Sequence, residues 1–270
     1  MARNVHLVVI DPQVDFCDPQ GALYVRGAEC DMERLARMVT RLASKLDDIH
    51  VTLDSHRLID VAHPIFWKDS QGQHPAPFTI IRASEVEAGR WMPTLPSMTR
   101  RMLDYVRTLE ANGRYPLCIW PPHCLIGTPG HNVLPVLQQT LQSWEAQRFA
   151  MVDYVTKGSN PWTEHYSAVC ADVPDPTDPG TQINAGFIQT LMEADIIAIA
   201  GEAGSHCLAN TVRDIAKNFG NGQDQSAIGK LVLLADATSP VPGFETFQTD
   251  FIREMRTRGM QISTTQDFLA

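Results

Sequence analysis

The chain lacks an excess of positive charge: 22 Lys and Arg stand against 31 Asp and Glu, so the formal net charge is 22 − 31 = −9 with histidine neutral. An acidic surface repels phosphate backbones and anionic lipid, and no basic patch offsets it, which argues against nucleic-acid or membrane-surface partners. Long apolar runs are missing too. The stretch from Ile196 to Ala200 falls far short of the roughly 18 to 20 residues that a membrane span needs. The beginning, Met1-Ala2-Arg3-Asn4-Val5-His6, leads straight into an apolar strand without the apolar zone and cleavage site of an export signal, so a cytoplasmic protein is expected. The six cysteines (Cys17, Cys30, Cys118, Cys124, Cys170, Cys207) are scattered and show no C-x-x-C spacing. They are too sparse for a disulfide scaffold, so reduced thiols are expected, one of them reactive. Internal repeats and low-complexity tracts are also lacking.

What is present is an ordinary globular composition, 44% hydrophobic and 20% charged over 270 residues, enough to bury a large core. One domain over 1–270, acting on small molecules, is the expectation. Apolar runs alternate with helical patterns in β-α order, the signature of a parallel sheet covered by helices. Strands are expected at His6–Ile10, Ile49–Leu53, Leu117–Trp120, Phe149–Val152, Ile196–Ala200 and Leu231–Leu234. Helices are expected at Met32–Lys45, Pro96–Glu110, Val133–Trp144, Phe187–Glu193 and Ser205–Asn218. These fit an α/β, three-layer, doubly wound and mostly parallel sheet of about six strands with helices on both faces. The proline-rich stretch from His63 to Pro96 reads as an insertion or lid-like excursion, and Val173–Gly180 as a turn-rich connection.

In open α/β sheets ligands bind beyond the carboxyl ends of the strands. Polar residues collect there: Asp11 after the first strand, Asp54-Ser55-His56 after the second, Pro121-Pro122-His123-Cys124, Lys157-Gly158, and Gly201 through Cys207. Each has a plain structural alternative. An aspartate after a strand is commonly a turn former or helix cap, Lys-Gly an exposed loop, and a helix-opening cysteine an inert thiol. Together they describe a chemistry. A helix N-terminus favours the thiolate of Cys207, Asp11 could serve as its base, and Lys157 would supply positive charge to both. Small residues before Cys207 leave backbone N–H groups free for an oxyanion. Such a set performs acyl transfer through a thioester. Asp54 and His56 share one side of an extended segment, as two ligands of one ion do, with His123 and His63 as candidates to complete a Zn²⁺, Fe²⁺ or Mn²⁺ site.

These residues resemble the isochorismatase-like cysteine hydrolases, and within them the nicotinamidases (pyrazinamidases). The resemblance rests on Val9-Ile10-Asp11-Pro12-Gln13-Val14-Asp15-Phe16-Cys17, Asp54-Ser55-His56 with His63, Trp120 through Gly130, Lys157-Gly158 and Gly201 through Cys207. It implies Asp11, Lys157 and Cys207 as the catalytic triad and a divalent metal, zinc first, on Asp54, His56 and His123, with His63 added in some members. It implies a cis peptide between Glu202 and Ala203, an oxyanion hole of the Ala203 and Cys207 N–H groups, and Phe16 and Trp120 about the substrate ring. The activity implied is a metal-dependent hydrolysis of a linear amide C–N bond, nicotinamide to nicotinate and ammonia, within NAD salvage and pyridine nucleotide biosynthesis. A homo-oligomer is implied as well.

The chain departs from that pattern in ways that leave the substrate open. The segment from His56 to His123 is long, the lead-in to the nucleophile is Glu202-Ala203-Gly204-Ser205-His206, and Ser159 through Tyr166 follow the lysine. A cysteine amidohydrolase of the same superfamily acting on another small amide or carbamoyl compound is the alternative, and a non-catalytic ligand-binding relative the next. Cys124 and His206 are expected to pack, and His165 to be a solvated loop histidine.

Overall fold

The computed structural model describes residues 3–219 and 225–270. Residues 1–2 and 220–224, part of the expected 1–270 domain, lie outside the described residues. Six strands form the central sheet: β1 Val5–Ile10, β2 Asp48–Asp54, β3 Asp153–Lys157, β4 Ile196–Gly201, β5 Leu231–Leu234 and β6 Gln261–Ser263. They lie in the order β6-β5-β4-β1-β2-β3, and every pairing is parallel. Apart from His6, the central strand β1 is a run of β-branched and aliphatic residues, with Leu7, Val8, Val9 and Ile10 fully buried. Burial on both faces is what a parallel strand between helix layers requires, and each such side chain stabilises the fold by about 1.5–3 kcal/mol.

Six longer helices surround the sheet: α1 Ala28–Leu42, α2 Thr99–Asn112, α3 Pro135–Arg148, α4 Ala185–Glu193, α5 Cys207–Asn218 and α6 Glu245–Thr257. Helix α1 buries Met32, Leu35, Met38, Val39 and Leu42, one stripe at three- and four-residue spacing. It packs on α3, and α5 packs on α6. Among the described residues no helix is long and apolar enough to cross a membrane.

Two expected strands differ. Leu117–Cys118 is buried but pairs antiparallel with Ile80–Ile81, outside the central sheet. Pro121 and Pro122 stop it from extending, because proline cannot donate to a ladder. The apolar residues Phe149 and Met151 lie on the surface, 100% and 84% exposed, with Phe149 capping α3 in the left-handed region. The strand begins only at Asp153. The sixth sheet strand, Gln261–Ser263, is a largely exposed edge strand that carries no continuous apolar run.

The excursion from His63 to Pro96 is built from small pieces: a turn of 3-10 helix at Pro64–Phe66, the pair Trp67–Lys68 with Met92–Pro93, and a short helix at Ala83–Glu87. Trp67 is its buried anchor, donating Nε1–H to the Val61 carbonyl at 2.7 Å. Phe66 meets Trp162 and Phe78 meets Trp120, edge to face in both cases. The segment therefore touches the cavity wall described below.

Candidate active site

The chain reverses direction across the sheet between β1 and β4, since β1 leads to β2 on one side and β4 to β5 on the other. Such a switch point opens a crevice at the carboxyl ends of the strands. Asp11 follows β1, Asp54 ends β2, Lys157 ends β3, and Gly201 through Cys207 follow β4 into α5. Register completes the convergence: Asp54 pairs with Lys157 and Ile10 with Gly201. Only glycine fits at 201, where φ is +107° and a Cβ would collide with the Ile10 backbone. At Gly158 (φ +81°) a Cβ would stand 2.6 Å from Asp54 Oδ1. Asp11 itself adopts a positive φ of 43°, a conformation kept where surrounding structure enforces it.

Two neighbours of Asp11 in the first motif act as ties. The Gln13 side chain donates to the Asp54 carbonyl and accepts from the Asp54 N–H, both at 2.7 Å, locking the ends of β1 and β2 together. Asp15 Oδ2 accepts the Cys124 N–H at 2.7 Å and so places the residue beside His123. The sequence alone assigned neither, although both stand in the quoted motif at alternate positions.

Lys157 lies at the centre of the charged group. Its buried Nζ is 2.9 Å from Asp11 Oδ2, 3.0 Å from Asp54 Oδ1 and 3.5 Å from Cys207 Sγ. Asp11 also receives the Thr52 hydroxyl, and its N–H donates to Thr52 Oγ1 at 3.0 Å. Burial works against the charge on Lys157, but Asp11 and Asp54 outweigh it and hold the ammonium well above its usual range. Burial also opposes the charge of Asp54, yet His56 and Lys157 keep that carboxyl well below its usual range. Asp11 is raised by burial and by Asp54, with Lys157 pulling the other way. Burial pushes the Cys207 thiol well above its ordinary value, and the opposing pull of Lys157 does not overcome it. Burial thus opposes the thiolate that the helix N-terminus favours, and the chemistry of Cys207 calls for a base at hand. Carboxylate oxygens of Asp11 and Asp54 and the Cys207 sulfur lie within 4.8 Å of one another, with the Lys157 ammonium already among them.

Beside this group Asp54, His56 and His123 form a buried cluster whose ligand atoms all lie within 4.8 Å of one another. His56 Nε2 is 3.0 Å and His123 Nε2 3.6 Å from Asp54 Oδ2. The far nitrogens are engaged elsewhere: His56 Nδ1 with Asp60 Oδ2 at 3.0 Å, and His123 Nδ1 with the Pro121 carbonyl at 2.8 Å. Each Nε2 is thus turned towards a common point, the arrangement a bound cation needs from imidazole ligands. His63 stands against both rings, centroids 5.3 and 5.7 Å away, and its buried Nε2 has no hydrogen-bond partner among the described residues. Two imidazoles, a carboxylate and an orphaned third imidazole nitrogen suit a borderline divalent ion.

A cavity joins the two groups. Phe16, Trp120, Asp54, His56, His123, Ala203 and Cys207 line it, together with Glu164, His165, Tyr166 and His206. Ala203 and Cys207 flank the cis Glu202–Ala203 peptide and the start of α5. Cys207 occupies the first helical position, where a backbone N–H has no intrahelical acceptor. Trp120 Nε1 is 3.2 Å from Glu164 Oε2 and 3.0 Å from the Tyr166 hydroxyl. Burial, with Asp60 nearby, raises the Glu164 carboxyl to about 8. His165 is not a solvated loop residue: it is buried, its Nδ1 accepts the Gly158 N–H at 3.3 Å, and burial and Lys157 hold it down to about 3. His206 packs against Tyr115 and Phe244, both 4.9 Å away, and burial lowers it to about 3. Glu164 and Tyr166 were missed from the sequence because loop residues carry no periodicity; their only signal was proximity to Lys157.

No protein-family model and no curated protein matches the chain. Solved structures do. A nicotinamidase/pyrazinamidase from Acinetobacter baumanii superposes with TM-score 0.63 at 18% identity, covering 98% of each chain. The yeast nicotinamidase bound to the inhibitor nicotinaldehyde gives 0.61 at 17%, over 96% of this chain and 99% of the other. A Pyrococcus horikoshii pyrazinamidase in complex with zinc gives 0.56 at 19%, over 97% and 99%. Over nearly its whole length, therefore, the chain has the isochorismatase-like α/β fold of the nicotinamidases and pyrazinamidases.

Proposed function

We propose that the protein is a cysteine amidohydrolase that converts nicotinamide to nicotinate and ammonia, with Asp11, Lys157 and Cys207 as its catalytic residues. The observation that carries this reading is the buried Lys157 ammonium, in contact at once with the Asp11 carboxylate (2.9 Å) and the Cys207 sulfur (3.5 Å). Asp54, His56 and His123, with His63 beside them, would hold a divalent metal ion. When bound there, an ion such as zinc supplies a Lewis-acid contact for the ring nitrogen and fixes the ring's orientation.

Phe16 and Trp120 line the cavity, where they would flank the ring. Asp11 takes the proton from the Cys207 thiol as sulfur attacks the amide carbon, and Lys157 stabilises the negative charge that moves through the pair. The Ala203 and Cys207 N–H groups hold the oxyanion. Asp11 then passes its proton to the amide nitrogen, the C–N bond breaks and ammonia leaves a thioester. Water attacks the thioester carbon and gives a proton to Asp11. The C–S bond breaks, and the proton returns to sulfur. The test is ammonia release from nicotinamide by wild type and by Cys207→Ala; equal rates would refute the mechanism.

A second reading keeps the machinery but changes the substrate to another small amide or carbamoyl compound. Glu164 favours it, because a carboxyl in the cavity wall offers a hydrogen-bonding group that a bare pyridine ring does not use. A panel of amides decides between the two, with nicotinamide the poorest substrate under the second.

A further inference from the structure

We propose that His6, Asp48 and His50 form a second site for a divalent transition-metal ion, of the zinc or cobalt class, at the amino-terminal edge of the sheet. Register sets the three on one face. His6 pairs with Asp48 across β1 and β2, and His50 follows Asp48 by two residues, so all three side chains project the same way. Asp153 joins them from β3, in register with His50. The ligand atoms of His6, Asp48 and His50 lie within 4.8 Å of one another. Asp48-Ile49-His50, in β2, repeats six residues earlier the spacing of Asp54-Ser55-His56, which starts at the last residue of that strand. The two clusters are thus roughly 20 Å apart along β2.

The details suit a cation. His6 and His50 are buried, which leaves imidazole as an unusual filler where an aliphatic residue would serve. His50 Nδ1 is 2.8 Å from Asp153 Oδ2, which fixes the ring proton on that side and turns the Nε2 lone pair inward. That Nε2 lies 3.1 Å from His6 Nδ1. Two imidazole nitrogens on one tetrahedral zinc stand roughly 3.3 Å apart, so a bound ion can replace the proton they share with little movement. Asp48 is half-buried and Asp153 is half-exposed, which provides a path from solvent. Phe187 from α4 closes the other side edge-on to His50.

Metal stoichiometry tests this independently of amide hydrolysis. The purified full-length chain, saturated with Co²⁺ and desalted, is expected to hold two equivalents by elemental analysis. A His56→Gln/His123→Gln variant should keep one, with a tetrahedral visible spectrum, and a His6→Gln/His50→Gln variant should lose that one. Asp48→Asn, a half-buried change expected to fold, should weaken the second equivalent at least about ten-fold. A wild type that takes up one equivalent, lost in His56→Gln/His123→Gln, overturns the proposal. So does an Asp48→Asn chain whose second Co²⁺ dissociation constant is unchanged. Failure of nicotinamide hydrolysis would leave both readouts intact.

Discussion

Lys157→Met removes the cation on which two buried carboxylates depend while keeping a side chain of similar length. In the native chain the ammonium is 2.9 Å from Asp11 and 3.0 Å from Asp54. At an effective dielectric of about 20, each contact corresponds to roughly 6 kcal/mol of Coulomb attraction. Desolvation offsets much of that, and breaking such a pair typically costs about 3–5 kcal/mol, because the partner charge is left buried. The sign with pH follows from the groups concerned. Wild-type Asp54 is held well below its usual range, so its contribution is present above the unfolded-state value and is lost only as pH falls through the lower folded value. Without Lys157, Asp11 loses the cation that opposes its upward shift while Asp54 keeps the pull of His56, so through Asp11 the variant is at full strength below about pH 4 and loses stability as pH rises. The gap between wild type and variant should therefore be about 3–5 kcal/mol at pH 7 and shrink towards pH 4. Urea denaturation of chelator-treated protein at the two pH values measures it, and ammonia release should fall at least about 100-fold alongside. A gap under about 0.5 kcal/mol, or one that does not change with pH, would refute the placement of Lys157 as their shared counter-ion.

Asp60→Asn should weaken metal binding at the Asp54, His56 and His123 cluster by about 10- to 100-fold with little change in fold, since Asp60 orients His56 through Nδ1; competitive chelator titration reads this. Glu164 is raised to about 8, so the stability it contributes is full below about pH 4.5 and is lost as pH rises towards 8. Glu164→Gln should flatten that decline. A urea midpoint that falls from pH 5 to 8 equally in both proteins would show that Glu164 titrates normally.

The candidate site residues were legible because they follow strands, and strand ends in a parallel sheet face one crevice. Asp11, Asp54, Lys157 and Cys207 converge for that reason alone, and the burial of Val5–Ile10 and Ile196–Gly201 was written in their apolar runs. Leu117–Trp120 misled because an apolar run does not name its partner: Ile80–Ile81 claimed it, and two prolines ended it. Gln261–Ser263 was invisible because an edge strand half in solvent needs no apolar pattern.

By itself, then, the sequence determined the class of fold, the sheet edge that matters and the candidates for nucleophile, base, lysine and metal ligands, since each is a local property of residue type and position after a strand. The tertiary structure alone decided how these groups act on one another. It buried Cys207 so that its thiol is raised rather than lowered, set Lys157 between two carboxylates, and oriented His56 through Asp60 and the ends of β1 and β2 through Gln13. It also drew His165 and Glu164 out of a loop and into the cavity wall. Protonation states and orientation depend on desolvation and on partners distant along the chain, and no local pattern in the sequence encodes them.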